Sequence, residues 1–205
     1  MSLPAAAWRE RVEFERRLVH AGGTLYPVPY LLGWLSWSET RVFLGVALAV
    51  VFALEFLRLV VGLDHAVYRT LTREYEEDAL AGYALYQVSM TGAVLFLSPT
   101  LAIPAMWMLS VGDPVSGALA DNDATEAKRP AAWIAMGLVC FGLAVPFTVP
   151  AFGSNAGVTI AMAGAVPAAI ADGIPPVIRG TPVDDNLTIP PAAAGGMLLA
   201  VAAVG

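Results

Sequence analysis

The chain has 205 residues, of which 58% are hydrophobic and only 14% charged, and its formal net charge is −6. A soluble domain carries about 25% charged residues, so this chain lacks the polar surface to cover a water-soluble globule of its size, a need that a bilayer removes. The acidic balance, 11 basic against 17 acidic residues, argues against a nucleic-acid partner, which requires a basic footprint.

Residues 1–20 read as an amphipathic interfacial segment. Trp8, Val12, Glu15 and Val19 recur at helical steps, with Arg9, Glu13 and Arg16 elsewhere on the turn. The charged stretch from Arg9 to Arg17 comes before the first apolar run, and no small-residue cleavage site closes that run, so it does not read as a secretory signal. Residues 21–205 read as one membrane domain. A span takes about 20 predominantly apolar residues, and apolar runs recur at 24–37, 42–61, 79–97, 101–120, 131–149, 156–171 and 187–205. The expectation is an all-α, polytopic transmembrane bundle of about seven spans. Ser98-Pro99 divides the third run from the fourth. Repeated Ala and Gly in the last three runs would let helices approach closely. Cys140 lies inside an apolar run, without a second cysteine to pair with, and reads as a packed or lipid-facing thiol.

The basic residues orient the bundle. With the N-terminus inside, Arg9, Arg11, Arg16, Arg17, Arg58, Arg69, Arg73, Lys128, Arg129 and Arg179 fall on one side, and of the 11 basic residues only Arg41 does not. The positive-inside rule makes that side, and the N-terminus, cytoplasmic. The breaks on the other side, Ser98-Pro99-Thr100 and 150–155, carry no charge.

Acidic residues sort to the same side. Asp113 lies in Val111-Gly112-Asp113-Pro114-Val115-Ser116-Gly117, within an apolar run, where an ionisable side chain is costly and is a functional candidate by default. Asp172 closes the sixth run and Asp184-Asp185-Asn186 opens the seventh. Asp184 or Asp185 also suits a plain helix cap, and Glu55 and Arg58, spaced i,i+3, suit a structural pair on one helix face. Lys128 is the only lysine; in a chain that otherwise uses arginine, a compact ammonium is suited to a mobile phosphate contact. Signatures of other chemistries are missing. There is no G-x-x-x-x-G-K-[ST] loop, no G-x-S-x-G elbow, and too few His and Cys residues for a zinc site.

Asp184-Asp185-Asn186-Leu187-Thr188-Ile189-Pro190 resembles the D-D-N-L-T-I-P signature of the dolichol kinase, phytol kinase and CTP-dependent diacylglycerol kinase family. Three weaker elements follow that family's order. Glu15-Arg16-Arg17-Leu18-Val19-His20 resembles its R-K-x-x-H element, with Arg17 in place of lysine. Gly112-Asp113 with Ser116 and Gly117 resembles its G-D-x-x-[AS] element, and Asp172-Gly173 resembles the aspartate ending its next-to-last helix. The family's longer Gly- and Lys-rich stretch is here compressed to Thr125-Glu126-Ala127-Lys128-Arg129-Pro130.

The resemblance implies a lipid-kinase domain over 21–205 that phosphorylates a membrane lipid alcohol (polyprenol or dolichol, phytol or geranylgeraniol, or a diacyl or diether glycerol) with CTP as donor. Asp113, Asp172 and Asp184 become the expected catalytic carboxylates and ligands of Mg²⁺. Lys128, Arg129, Arg16, Arg17, Ser116 and Gly117 become the expected nucleotide contacts. His20, Gly112, Asp185 and Asn186 complete the motif positions. Phosphoryl transfer asks a protein mainly for positioning and charge neutralisation, which aspartates, a metal and basic side chains supply. A cytidylyltransferase making a CDP-lipid would use similar carboxylates, and a transporter remains the non-enzymatic reading; transporter sites, however, favour the bilayer midplane and repeated halves, and no repeat is visible here.

Overall fold

The structure is a computed structural model that describes residues 20–65, 68, 71–72, 76–120, 126–174, 176–178 and 181–204. Most of the expected interfacial segment 1–20 lies outside these, with Arg16 and Arg17, as do Arg69, Arg73, Asp121, Asp123 and Arg179.

The apolar runs fold as helices whose ends are set by identifiable residues. The run at 24–37 folds as short broken pieces and not as one long helix. A 3₁₀ turn at Gly23–Leu25 and α1, Val28–Leu31, hold Pro27 and Pro29, and the chain turns at Gly33, whose φ of 71° favours glycine. The next helix, α2, covers Trp37–Leu59 and begins five residues before the apolar run that predicts it. Ser36 and Glu39 form a reciprocal capping box there, Ser36 Oγ accepting from Glu39 N and Glu39 accepting from Ser36 N.

α3 follows at Gly82–Phe96 and α4 at Pro99–Trp107, with Pro99 in the first helical position. A π-helical segment, Met108–Gly112, leads into α5, Asp113–Leu119. Two long helices come next, α6 at Pro130–Phe152 and α7 at Ser154–Gly173, joined at Gly153 with φ 82°. A two-residue antiparallel ladder, β1 Val177–Ile178 with β2 Thr181–Pro182, interrupts the otherwise helical fold before α8, Asp185–Val204.

Four helices, α2, α6, α7 and α8, are long and apolar enough to cross a membrane. The third expected span is the 15-residue α3, and the fourth is divided into α4, the π segment and α5. The chain is thus a helical protein with the character of an integral membrane protein.

α6, α7 and α8 pack in sequence, α8 closes on α3 and α4, and α4 and α5 return to α6. Their shared core includes Met106, Met108, Leu109, Met136, Cys140, Ile160, Ile189 and Met197. Helices α7 and α8 nearly touch at Gly196, where a Cβ would fall 1.9 Å from the Ala163 carbonyl oxygen; such small-residue contacts are how apolar helices gain packing in lipid. α2 packs chiefly on α3 and turns Val42, Phe43, Val46, Val50 and Phe56 outward, a surface that needs an apolar solvent.

α2 is pinned at one end by a buried carboxylate. Glu55, 2% exposed, accepts from Arg58 Nε at 2.9 Å and Nη2 at 2.7 Å, from Ala81 N at 3.0 Å, and from the Tyr83 hydroxyl. Arg58 also donates to the carbonyls of Glu76, Glu77 and Ala79. The pair thus ties α2 to the start of α3, and both partners are well bonded, the satisfied state that a buried ion pair requires. At the far end of α2, Arg41 donates to the Val94 carbonyl near the end of α3, so it sits apart from Arg58, Lys128 and Arg129.

Candidate active site at one end of the bundle

Asp113, Asp172 and Asp185 bring one carboxylate oxygen each to within 4.8 Å of one another. They arrive from three helix ends: Asp113 opens α5, Asp172 is the second-last residue of α7, and Asp185 opens α8. Lys128, two residues before α6, enters the same group. Its Nζ donates to Asp172 Oδ1 at 2.7 Å and lies 3.5 Å from Asp113 Oδ1. Ser116, one turn beyond Asp113 on α5, donates from Oγ to Asp172 Oδ2 at 2.5 Å and lies 3.4 Å from Lys128 Nζ. Asp172 is the deepest, with its side chain fully buried, against 13% exposure for Lys128 and 18% for Asp113. Burial alone would lower the Lys128 pKa; the carboxylates of Asp113 and Asp172 outweigh it and raise the value. Lys128 therefore stays an ammonium through the neutral range.

The π segment shapes the approach to Asp113. Pro114 has no N–H, so it can donate to neither the Ser110 nor the Leu109 carbonyl. The Leu109 carbonyl is met instead by His20 Nε2 at 3.0 Å. A carbonyl only accepts, so Nε2 carries the proton, and the same nitrogen lies 3.5 Å from Asp113 Oδ2. The Tyr86 hydroxyl donates to the His20 carbonyl at 2.8 Å, and its ring meets the imidazole edge-on at 4.5 Å. Beside them Thr24 Oγ1 donates to Ser110 Oγ, and Trp107 Nε1 to the Thr24 carbonyl. A π turn between helical segments is a frequent companion of functional sites; here it ends at Gly112, the residue before Asp113.

Of the residues expected from sequence, the structure joins Asp113, Asp172, Lys128, Ser116, His20 and Asp185. Gly112 ends the π segment, and Gly117 follows Ser116 on α5. Arg129 turns to the end of α5, where its Nε donates to the Leu119 carbonyl, a helix-closing contact. Asn186 is buried on α8, and its Oδ1 has no hydrogen-bond partner among the described residues.

Asp184, expected among the metal ligands, is not one of the three carboxylates whose oxygens meet within 4.8 Å; Asp185 takes that place. Asp184 is the cap of α8, its Oδ1 accepting from Asn186 N at 2.9 Å, and that bond turns it back on its own helix. Tyr86 was not legible as a contributor from sequence, since a tyrosine within an apolar run carries no distinguishing signal.

Three carboxylate oxygens form a hard donor set that fits Mg²⁺, and the ammonium of Lys128 already stands between two of them as a cation. The caps predict how the adjacent aspartates differ. Asp185→Asn removes charge from the group and should lower metal-dependent activity at least tenfold more than Asp184→Asn, because Asn caps about as well as Asp. Parallel assays of the two variants across a Mg²⁺ titration check this, and equal losses would contradict the division of roles. Comparisons with protein-family models, with curated proteins and with solved structures found no match to this chain.

Proposed function

We propose that this chain is a membrane phosphotransferase that moves the terminal phosphoryl group of a nucleoside triphosphate, CTP by the motif resemblance, to the hydroxyl of a membrane lipid alcohol. The observation that carries the reading is the meeting of Asp113, Asp172, Asp185 and the only lysine, from four separate segments, at one end of an apolar bundle. Lipid hydroxyls sit at the membrane interface, so a site at a bundle end can meet both a lipid entering between helices and a nucleotide from water.

The roles follow from the bonding. Mg²⁺, held by Asp113, Asp172 and Asp185, would neutralise phosphate charge. Asp172, engaged by Lys128 and Ser116, anchors the group. Lys128 leans toward phosphate from that anchor. Asp113, whose contacts with His20 and Lys128 both stand at 3.5 Å, is less tightly engaged than Asp172 and would take the proton of the lipid hydroxyl on the oxygen not given to the metal. The lipid oxygen bonds to the γ-phosphorus, the bond to the bridging oxygen breaks, and the nucleoside diphosphate leaves with the electron pair.

The test uses membranes containing the full chain, a panel of polyprenol, phytol and diacylglycerol acceptors, and CTP or ATP labelled at either the α- or the γ-phosphorus. A γ-label recovered in a lipid monophosphate supports the reading. An α-label in the lipid with pyrophosphate released would make the chain a CDP-lipid synthase, and no label in lipid from any donor would overturn it.

In this reading the bundle spans the membrane about seven times, the shorter helices included, with the N-terminus and the site cytoplasmic. The support is the distribution of ten of the 11 basic residues. In a Cys140→Ala background, Ala127→Cys and Ser154→Cys should react with impermeant thiol reagents from opposite sides; same-side labelling would remove the shared cytoplasmic site.

A further inference from the structure

Two of the three site aspartates have a glycine neighbour, and both glycines meet the same helix. A Cβ at Gly173, next to Asp172, would lie 2.2 Å from Trp133 Nε1 and 2.3 Å from Trp133 Cε2. A Cβ at Gly112, next to Asp113, would lie 2.7 Å from Met136 Sδ and 3.0 Å from Cys140 Sγ. Real carbons do not approach so closely, so each glycine is a notch. Trp133, Met136 and Cys140 are spaced by three and four residues and form one ridge of α6. The ridge therefore keys into the backbone beside Asp113 and beside Asp172 at once.

Lys128 stands just ahead of that ridge. Its backbone N–H donates to the Gly173 carbonyl at 2.9 Å, and its Nζ reaches back to Asp172. Gly173 thus carries both the indole and the lysine's main chain. Trp133 Nε1 is buried and has no hydrogen-bond partner among the described residues, so packing against Gly173, and not a polar bond, holds the ring. A methyl group at Gly173 strikes a rigid bicyclic ring. One at Gly112 strikes two sulfur-bearing side chains, of which methionine is flexible.

We propose that Trp133 is a positioning residue, its indole seated in the Gly173 notch so that Lys128 is held against Asp172. The consequence for catalysis rests on the phosphotransferase reading; the geometry does not, because Lys128 is the only lysine in the chain and its amine can be followed without any turnover.

The full chain in membranes is treated with an amine-acylating succinimidyl ester, and acylation of Lys128 is timed by peptide mass spectrometry. The natural chain should react slowly. Gly173→Ala should react about tenfold faster, the scale set by overpacking strain at a tight contact. Trp133→Leu, which removes the ring that the notch seats, should accelerate acylation by a similar factor, and Gly173→Ala should add little in that background because both changes unseat the same ring. Gly112→Ala should act in the same direction but less, and it carries the test together with Trp133→Leu if Gly173→Ala does not accumulate in the membrane. Fast labelling of the natural chain, or no acceleration in either the glycine variant or Trp133→Leu, would each overturn the proposal. Failure of the natural chain to phosphorylate any lipid would remove the phosphotransferase reading and leave these rates unchanged.

Discussion

Asp172→Asn should lower lipid phosphorylation by about a thousandfold, the scale of losing a preorganised charged group from a reacting centre, while the chain still accumulates in the membrane. The substitution keeps the shape and deletes the charge. Asp172 is the fully buried member of the group, receiving Lys128 at 2.7 Å and Ser116 at 2.5 Å. An Asn carbonyl can still accept from Lys128. Its amide can donate to Ser116 Oγ, whose hydroxyl then turns to donate elsewhere. Removing one partner of a buried pair commonly costs about 3–5 kcal/mol because the other is stranded; here Lys128 keeps Asp113 at 3.5 Å, which reduces that cost. The measurement pairs γ-label transfer with the amount and thermal stability of the membrane-extracted protein. Normal turnover would reduce Asp172 to an anchor for α7, whereas lost turnover with lost protein would show only that the group holds the fold.

Lys128→Ala should raise the nucleotide concentration needed for half-maximal rate by about 10–100-fold, the range expected for removing a charge-assisted phosphate contact. Two effects add. The variant loses the ammonium that, in the proposed function, would meet the phosphates, and it leaves Asp113, Asp172 and Asp185 within 4.8 Å of one another with no ammonium to relieve their repulsion. The second effect should appear as a changed Mg²⁺ requirement even at saturating nucleotide. Lys128→Arg should recover part of the nucleotide affinity, since the charge returns but the compact, mobile head does not. If Lys128 were only a surface charge, Ala and Arg would both behave like the natural residue.

Much of the helical framework was legible because hydropathy and helix capping are local. The runs at 131–149, 156–171 and 187–205 appear as α6, α7 and α8 with ends displaced by a few residues. The start of α2 was legible in principle too, since Ser36 and Glu39 stand at capping-box spacing; the apolar run alone places it five residues late. That the run at 24–37 is broken into short pieces was hidden, because mean apolarity says nothing of the turn at Gly33 or of Pro27 and Pro29. The division of 101–120 by a π segment was likewise hidden, because it depends on how the chain before Asp113 is received by His20 and its neighbours.

At the site, residue types by themselves selected Asp113, Asp172 and Lys128, since a charge in an apolar chain is costly and so conspicuous. Choosing between Asp184 and Asp185 was beyond them. Two adjacent aspartates have the same chemistry, and what separates them is helical phase: the residue that caps α8 bends back to Asn186, and the next one, first on the helix, joins Asp113 and Asp172. Only tertiary structure decides that phase and the meeting of four segments distant in sequence, because the close contacts that fix it, such as Trp133 on Gly173, arise when helices pack. By itself the sequence determined an acidic, helical, membrane-suited chain with its charges sorted toward helix ends, because burial energetics act residue by residue.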